Sequence, residues 1–241
     1  MYRIILFDVD DTLLDFKAGE LKSLAKMFAK LKLTYTPRIE ASYLKINANL
    51  WRDYEAGRIT RPELFEVRFA KLFRHHRIDA DPHLAERTYH HFLDQEAILL
   101  PHVMETLDAL KDYRLFIVSN GIEPVQRQRL ATSGLIDYFE DIFVSDSVGS
   151  PKPTVAFFDY VAKRIPRFNR NETLIMGDSL TSDIQGGING KIDSIWFNPH
   201  FQPNRDQITP TYQLNEFSDL DRKSTRLNSS HITRSRMPSS A

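Results

Sequence analysis

Ile4-Ile5-Leu6-Phe7 is an unbroken apolar run of strand length, and polar residues resume abruptly at Asp8. Continuous apolarity over so short a stretch predicts a strand buried on both faces. From residue 16 to 97 the pattern changes. Leu21, Leu24, Ala25, Phe28 and Leu31 recur at helical spacing, as do Leu44, Ile46, Leu50 and Trp51. Leu64, Phe65, Phe69, Leu72 and Phe73 follow, and Tyr89, Phe92 and Leu93 close the series. Pro37, Gly57 and Asp81-Pro82 punctuate it, and Thr60 followed by Glu63 reads as a capping box. Four helices in sequence predict a bundle-like domain inserted after the first strand.

From Pro101 onward helix and strand alternate. Helices are expected at Val103–Leu110, Val125–Leu130, 153–164 and Ile184–Ile188, and strands at Leu115–Val118, Ile142–Val144 and Thr173–Met176. Ser194–Phe197 reads as a last buried strand. Such repeats predict an α/β fold with a parallel sheet covered by helices on both faces.

Composition adds exclusions. The 241-residue chain is 41% hydrophobic and 27% charged, ordinary values for a globular protein of one large or two modest domains. No window has the apolar length of a membrane span, and the N-terminus lacks the layout of a secretory signal. Cysteine is absent, which excludes disulfides and thiolate catalysis; the cytoplasm is the expected compartment.

The formal net charge of zero conceals an asymmetry. Arg222, Lys223, Arg226, Arg234 and Arg236 face the single Asp221 in residues 221–241, leaving residues 1–220 acidic by about four charges. An acidic body argues against binding nucleic-acid polymers. Residues 221–241 have no periodicity and resemble translated sequencing adapter, so they read as a non-native, disordered tail outside the functional argument. The native chain is then expected to stop near Leu220, within a helix begun at Asn215-Glu216-Phe217.

The chemistry lies where the strands end. Asp8 and Asp10 follow the first strand, Ser119-Asn120-Gly121 the second, Lys152 precedes a helix, and Asp178 with Asp183 follows a later strand. Ligands of parallel sheets bind beyond the carboxyl ends of the strands. In extended geometry Asp8 and Asp10 leave on one side, and two converging carboxylates need a cation or a proton between them. Singly, each element has a plain structural reading as a turn, a loop, a kinked linker or a helix cap. Their joint occurrence along one α/β pattern carries the weight.

Together Asp8-Val9-Asp10-Asp11-Thr12, Ser119-Asn120, Lys152 and Gly177-Asp178-Ser179-Leu180-Thr181-Ser182-Asp183 resemble the motifs of the haloacid dehalogenase-like phosphohydrolases. The resemblance covers residues 1 to about 220. It implies a Rossmann-like doubly wound core from residues 1–15 and 98–220, with 16–97 as a helical cap. It also implies Mg²⁺ and a covalent aspartyl-phosphate mechanism. Asp8 is then the nucleophile and Asp10 the acid/base group serving both half-reactions. Mg²⁺ would be held by the Asp8 and Asp178 carboxylates and the Asp10 backbone carbonyl. Ser119, Asn120 and Gly121 would hold the phosphate, and Lys152 would neutralise the transferring group. Asp183 would orient Lys152 or a metal-bound water, and Thr12 would hydrogen-bond within the first loop. Dehalogenases of the superfamily lack a carboxylate at the position of Asp10, because a halide leaves without protonation.

A narrower resemblance, to the YjjG-like pyrimidine 5′-nucleotidases, rests on Leu50-Trp51-Arg52-Asp53-Tyr54-Glu55-x-Gly57-x-Ile59-Thr60, on Val148–Pro153 and on Gly177–Asn189. It implies a nucleoside 5′-monophosphate as substrate, with Trp51 and Tyr54 as candidates for stacking on the base. An aromatic pair in a helix bundle is more often core than pocket. Asn189-Gly190-Lys191 departs from the Asn-Ala-Gly usual there. Small sugar phosphates or phosphoglycolate are the alternative substrates, and a non-catalytic, receiver-like phospho-acceptor is the alternative of another class. The oligomeric state is left open.

Overall fold

The computed structural model describes residues 2–220; the reading of 221–241 as a foreign tail lies outside the described residues. The chain divides into two compact units, one from Met1–Leu14 with the chain from Leu99 on, the other Asp15–Ile98.

The first unit is built on a six-stranded sheet. Its strands are β1 (Ile4–Phe7), β2 (Arg114–Ser119), β3 (Asp141–Val144), β4 (Thr173–Gly177), β5 (Asp193–Phe197) and β6 (Tyr212–Leu214). They lie in the order β3-β2-β1-β4-β5-β6 with every pairing parallel. The order reverses at β1, between β2 and β4, and Phe7 stands in register with Ile117 on one side and Met176 on the other. Alternation sorts the side chains between the faces. Ile5, Phe7, Leu115, Ile117, Leu174, Met176, Ile195 and Phe197 join one apolar cluster, while Ile4, Leu6, Phe116, Val118 and Ile175 join another. Both faces are buried, which is why the strands read as continuous apolar runs.

Helices α5 (Val103–Ala109), α6 (Glu123–Thr132), α7 (Ser145–Val148), α8 (Val155–Arg164) and α9 (Gln185–Gly190) accompany the sheet. Ser194–Phe197 is not the last strand: β6 follows, three residues long with Gln213 exposed, too short for a periodic signal. The helix expected from Ile184 is preceded by a π-helical turn at Leu180–Ile184. Gly190 ends α9 against Phe158, whose Cγ would stand 2.9 Å from an added Cβ. The left-handed cap residue is therefore Lys191, at φ +54°. Asn215 and Glu216 form bends and Phe217 a turn, so the expected helix starts only at Asp219, and Phe217 and Leu220 are buried in the core.

The second unit contains α1 (Phe16–Lys30), α2 (Pro37–Glu55), α3 (Arg61–His76) and α4 (Pro82–Leu93). Thr60 and Glu63 form the reciprocal capping box at the start of α3. Leu24, Phe28, Tyr43, Phe69, Leu72 and Tyr89 are central to its apolar core. Arg68 is buried beside them, paired with Glu86 and bonded to Asn47 Oδ1 at 3.1 Å. Its guanidinium carbon lies 4.8 Å from the ring centre of Tyr89. Among the described residues no helix is long and apolar enough to cross a membrane.

Candidate active site

The hydrogen-bond ladder of the sheet continues one residue past β1, the Asp8 N–H donating to Met176 O at 2.9 Å. Asp8 thus leaves the central strand at its carboxyl end, and the chain then turns as Leu13 and Leu14 both donate to Val9 O at 2.9 Å.

Lys152 is the hub. It is 1% exposed, and its Nζ donates to Asp8 Oδ1 at 2.6 Å, Asp183 Oδ1 at 2.6 Å and Val118 O at 2.8 Å. An ammonium has three hydrogens, so all are engaged. Burial works against the charge, yet the Asp183 and Asp8 carboxylates hold the Lys152 pKa above its ordinary value. The main chain of Lys152 is held as firmly. Asn120 Oδ1 accepts its N–H at 2.8 Å and Asn120 Nδ2 donates to its carbonyl at 2.9 Å. The Asn120 side chain therefore positions Lys152, and of its groups only the backbone is left for a phosphate.

Asp183 Oδ2 accepts the Ser179 N–H at 3.2 Å, and it can lie there because residue 177 is glycine: an added Cβ would stand 2.1 Å from that oxygen. Asp178 is partly exposed, and its carbonyl accepts Trp196 Nε1 at 2.8 Å. Its carboxylate has no hydrogen-bonding cation among the described residues. Oxygens of Asp8, Asp178 and Asp183 lie within 4.8 Å of one another. Burial, only partly opposed by Lys152, pushes the Asp8 carboxyl up to about 8, with Asp183 and Asp10 adding to the shift. Burial likewise pushes Asp178 well up, with Asp11 and Asp8 contributing. Lys152 balances one carboxylate of the three, and the donors that remain are hard oxygens, which fits a divalent cation such as Mg²⁺.

Asp10 faces different partners. Its Oδ1 meets Arg129 Nη1 at 2.6 Å and its Oδ2 accepts Gln126 Nε2 at 2.8 Å. Gln126 and Arg129 lie three residues apart on α6 and are buried, at 1% and 4% exposure. The helix expected at Val125–Leu130 singled out neither residue, because a polar side chain on a helix gives no sign of a partner distant in sequence. Ser119 is buried, accepting from Gln126 Nε2 at 2.9 Å and from the Gly121 N–H at 3.1 Å.

Thr12 hydrogen-bonds within the first loop through its main chain, its N–H reaching Val9 O at 3.4 Å, whereas its fully buried hydroxyl has no hydrogen-bond partner among the described residues. Trp51 and Tyr54 lie on α2 of the helical unit, each half-buried, with their rings edge to face at 5.7 Å. Neither belongs to that unit's buried core.

Residues 5–197 match the family of haloacid dehalogenase-like hydrolases. The chain is 38% identical over 221 residues to the pyrimidine 5′-nucleotidase PynA of Streptococcus pneumoniae, covering 91% of this chain and 93% of that one. It is 31% identical over 218 residues to the pyrimidine 5′-nucleotidase YjjG of Escherichia coli, covering 90% and 95%. The structure of Bacillus subtilis YfnB, a magnesium-bound form, superposes with a TM-score of 0.88 at 41% identity, covering 94% of this chain and 99% of that one.

Proposed function

From the premise that this chain belongs to the haloacid dehalogenase-like hydrolases, we propose that it is a Mg²⁺-dependent phosphatase of nucleoside 5′-monophosphates, pyrimidine nucleotides first, working through an aspartyl-phosphate. The observation that carries the reading is the different treatment of two carboxylates on one loop. Asp8 is buried and bonded to Lys152, whereas Asp10 is 30% exposed and tied to Arg129 and Gln126. One environment suits a nucleophile beside a permanent positive charge, the other an acid/base group in reach of water. The names of two relatives supply the substrate class.

The proposed reaction has two steps. Asp8 Oδ1 stays with Lys152 while the other oxygen attacks phosphorus; the P–O bond to the nucleoside breaks and Asp10 protonates the departing alkoxide. Water then attacks the acyl phosphate, Asp10 takes its proton, and inorganic phosphate leaves with Asp8 restored. Lys152, anchored by Asp183 and Asn120, neutralises charge that a dianion and a carboxylate bring together. The Ser119 hydroxyl and the Asn120 N–H bind phosphate oxygens, while the Gly121 N–H donates to Ser119 Oγ at 3.1 Å and shapes the loop around them. The Asp8 and Asp178 carboxylates and the Asp10 carbonyl would hold Mg²⁺, which supplies Lewis-acid polarisation of the phosphoryl oxygens.

Phosphate release from UMP, AMP, a sugar phosphate and phosphoglycolate, each with Mg²⁺ and with EDTA, tests the reading. Mg²⁺-dependent turnover fastest on UMP is expected. Equal rates across the panel would remove the pyrimidine assignment, and one phosphorylation per chain without turnover would make the protein a receiver-like acceptor.

A further inference from the structure

Gln126 joins two groups of the site through one side chain. Its amide nitrogen donates to Asp10 Oδ2 at 2.8 Å and to Ser119 Oγ at 2.9 Å, which uses both of its hydrogens. Its amide oxygen accepts from Arg129 Nη1 at 3.0 Å, and the same nitrogen of Arg129 reaches Asp10 Oδ1 at 2.6 Å. The neighbours dictate this orientation. A guanidinium has donors and no acceptor, so a flipped amide would turn its own donors onto Arg129 and lose that contact. Gly121 leaves the space: a Cβ there would fall 2.7 Å from Gln126 Nε2 and 2.9 Å from its Cγ.

The consequence falls on Ser119. Its oxygen accepts from Gln126 and from the Gly121 N–H, and a hydroxyl oxygen has two acceptor sites. Both are filled, so the remaining interaction of Ser119 is as a donor, and no acceptor for it occurs among the described residues.

We propose that Gln126, locked by Arg129, is a positioning residue that sets the Asp10 carboxylate in place and turns the Ser119 hydroxyl into an obligatory donor to the phosphate of the substrate. This deepens the reading above and rests on it. One amide couples the group that would handle the leaving-group proton to the group that would grip the phosphate. Neither motif residue is correctly set without a helix residue seven positions past Ser119.

The experiment is a double-mutant cycle on the full chain with Mg²⁺ and UMP, using Gln126→Met, Ser119→Ala, Asp10→Asn and the Gln126→Met double mutants, with inorganic phosphate as competitive inhibitor. Gln126→Met keeps the volume and removes the bonds. It is expected to lower kcat/KM on the order of 10- to 100-fold, the scale of hydrogen bonds to charged groups. Combined with Ser119→Ala or Asp10→Asn it should add little beyond the larger single effect, and Gln126→Met and Ser119→Ala should weaken phosphate inhibition alike. Multiplying single effects, or phosphate inhibition weakened by Ser119→Ala alone, would overturn the proposal. Wild-type turnover in both Ser119→Ala and Asp10→Asn would instead overturn the reading of the site itself. Should Gln126→Met fail to fold, Gly121→Ala crowds the same amide from the loop side. The same non-additivity with Ser119→Ala is expected, and independence overturns the proposal.

Discussion

Lys152 Nζ lies 2.6 Å from Asp8 Oδ1, although 144 positions separate the two residues. Neither group could be buried alone. Lys152→Met would remove the cation that Asp8 and Asp183 share, and breaking a buried pair from one side costs about 3–5 kcal/mol before the carboxylates relieve it by taking up protons. The variant should unfold at lower urea concentration, by the larger margin at higher pH, and should lose turnover. Lys152→Arg is expected to fail as well, because a planar fork cannot direct three bonds to Asp8, Asp183 and Val118 O. Wild-type stability and turnover in either variant would refute the account.

How much of this was legible follows from where polar residues stand. Asp8, Ser119 and Asp178 sit at the ends of continuous apolar runs, where polarity marks the edge of a buried sheet. Gln126, Arg129 and Arg68 were not legible, because a polar residue on an amphipathic helix looks solvated until its partners, distant in sequence, are known. β6 escaped because three residues with one exposed side chain carry no period. The glycine shift at Asn189-Gly190-Lys191 was visible, but its reason was not: the Phe158 ring occupies the place of a Cβ.

Proton binding gives the site a pH signature. Burial raises Asp8 to about 8 and moves Asp178 the same way, so the folded state holds these protons more tightly than the unfolded chain does. The stabilising contribution of Asp8 is complete below its unfolded value, about 4, and is lost as pH rises through its folded value, about 8, and that of Asp178 is lost in the same direction. Protein in EDTA should therefore lose melting temperature between about pH 5 and pH 8.5. Mg²⁺ favours the ionised carboxylates, so the melting-temperature gain it confers should grow over the same interval. A gain independent of pH would count against Asp8 and Asp178 as its ligands.

Gly177→Ala tests the packing around Asp183. The new Cβ would lie 2.1 Å from Asp183 Oδ2 and 2.6 Å from its Cβ, so the carboxylate must move. Overpacking of this kind costs about 1–3 kcal/mol. Displacing Asp183 also frees one of the three bonds that hold Lys152, so turnover should fall at least about tenfold, the worth of one charge-assisted hydrogen bond. Turnover retained alongside the stability loss would show that Asp183 is dispensable for placing Lys152.

Trp51 and Tyr54 leave aromatic surface uncovered on α2. If they stack on the base, Trp51→Leu and Tyr54→Leu should raise KM for UMP by about 5- to 100-fold, since stacking is worth about 1–3 kcal/mol per base. A phosphate ester without a base should be turned over as before. Equal losses on both substrates, or a melting temperature lowered with no change in KM, would return the pair to a packing role.

Arg68 makes the last case, and it concerns stability alone. Arg68 is 2% exposed, its guanidinium lying among Tyr43, Phe65, Phe69 and Tyr89 with Glu86 as its acidic partner. Arg68→Met would leave Glu86 without its cation, save for His90 Nε2 at 3.0 Å, and Asn47 Oδ1 without its donor. A cost of about 3–5 kcal/mol is expected from breaking the pair. Replacing both members, Arg68→Met with Glu86→Leu, removes the stranded charge and should recover most of that loss, because a buried ion pair often contributes no more than the apolar residues that could fill its place. Chemical denaturation of the wild type, both singles and the double measures it directly. A double variant as unstable as the two singles added together would mean that Arg68 and Glu86 have no energetic coupling, which would refute the stranded-charge account.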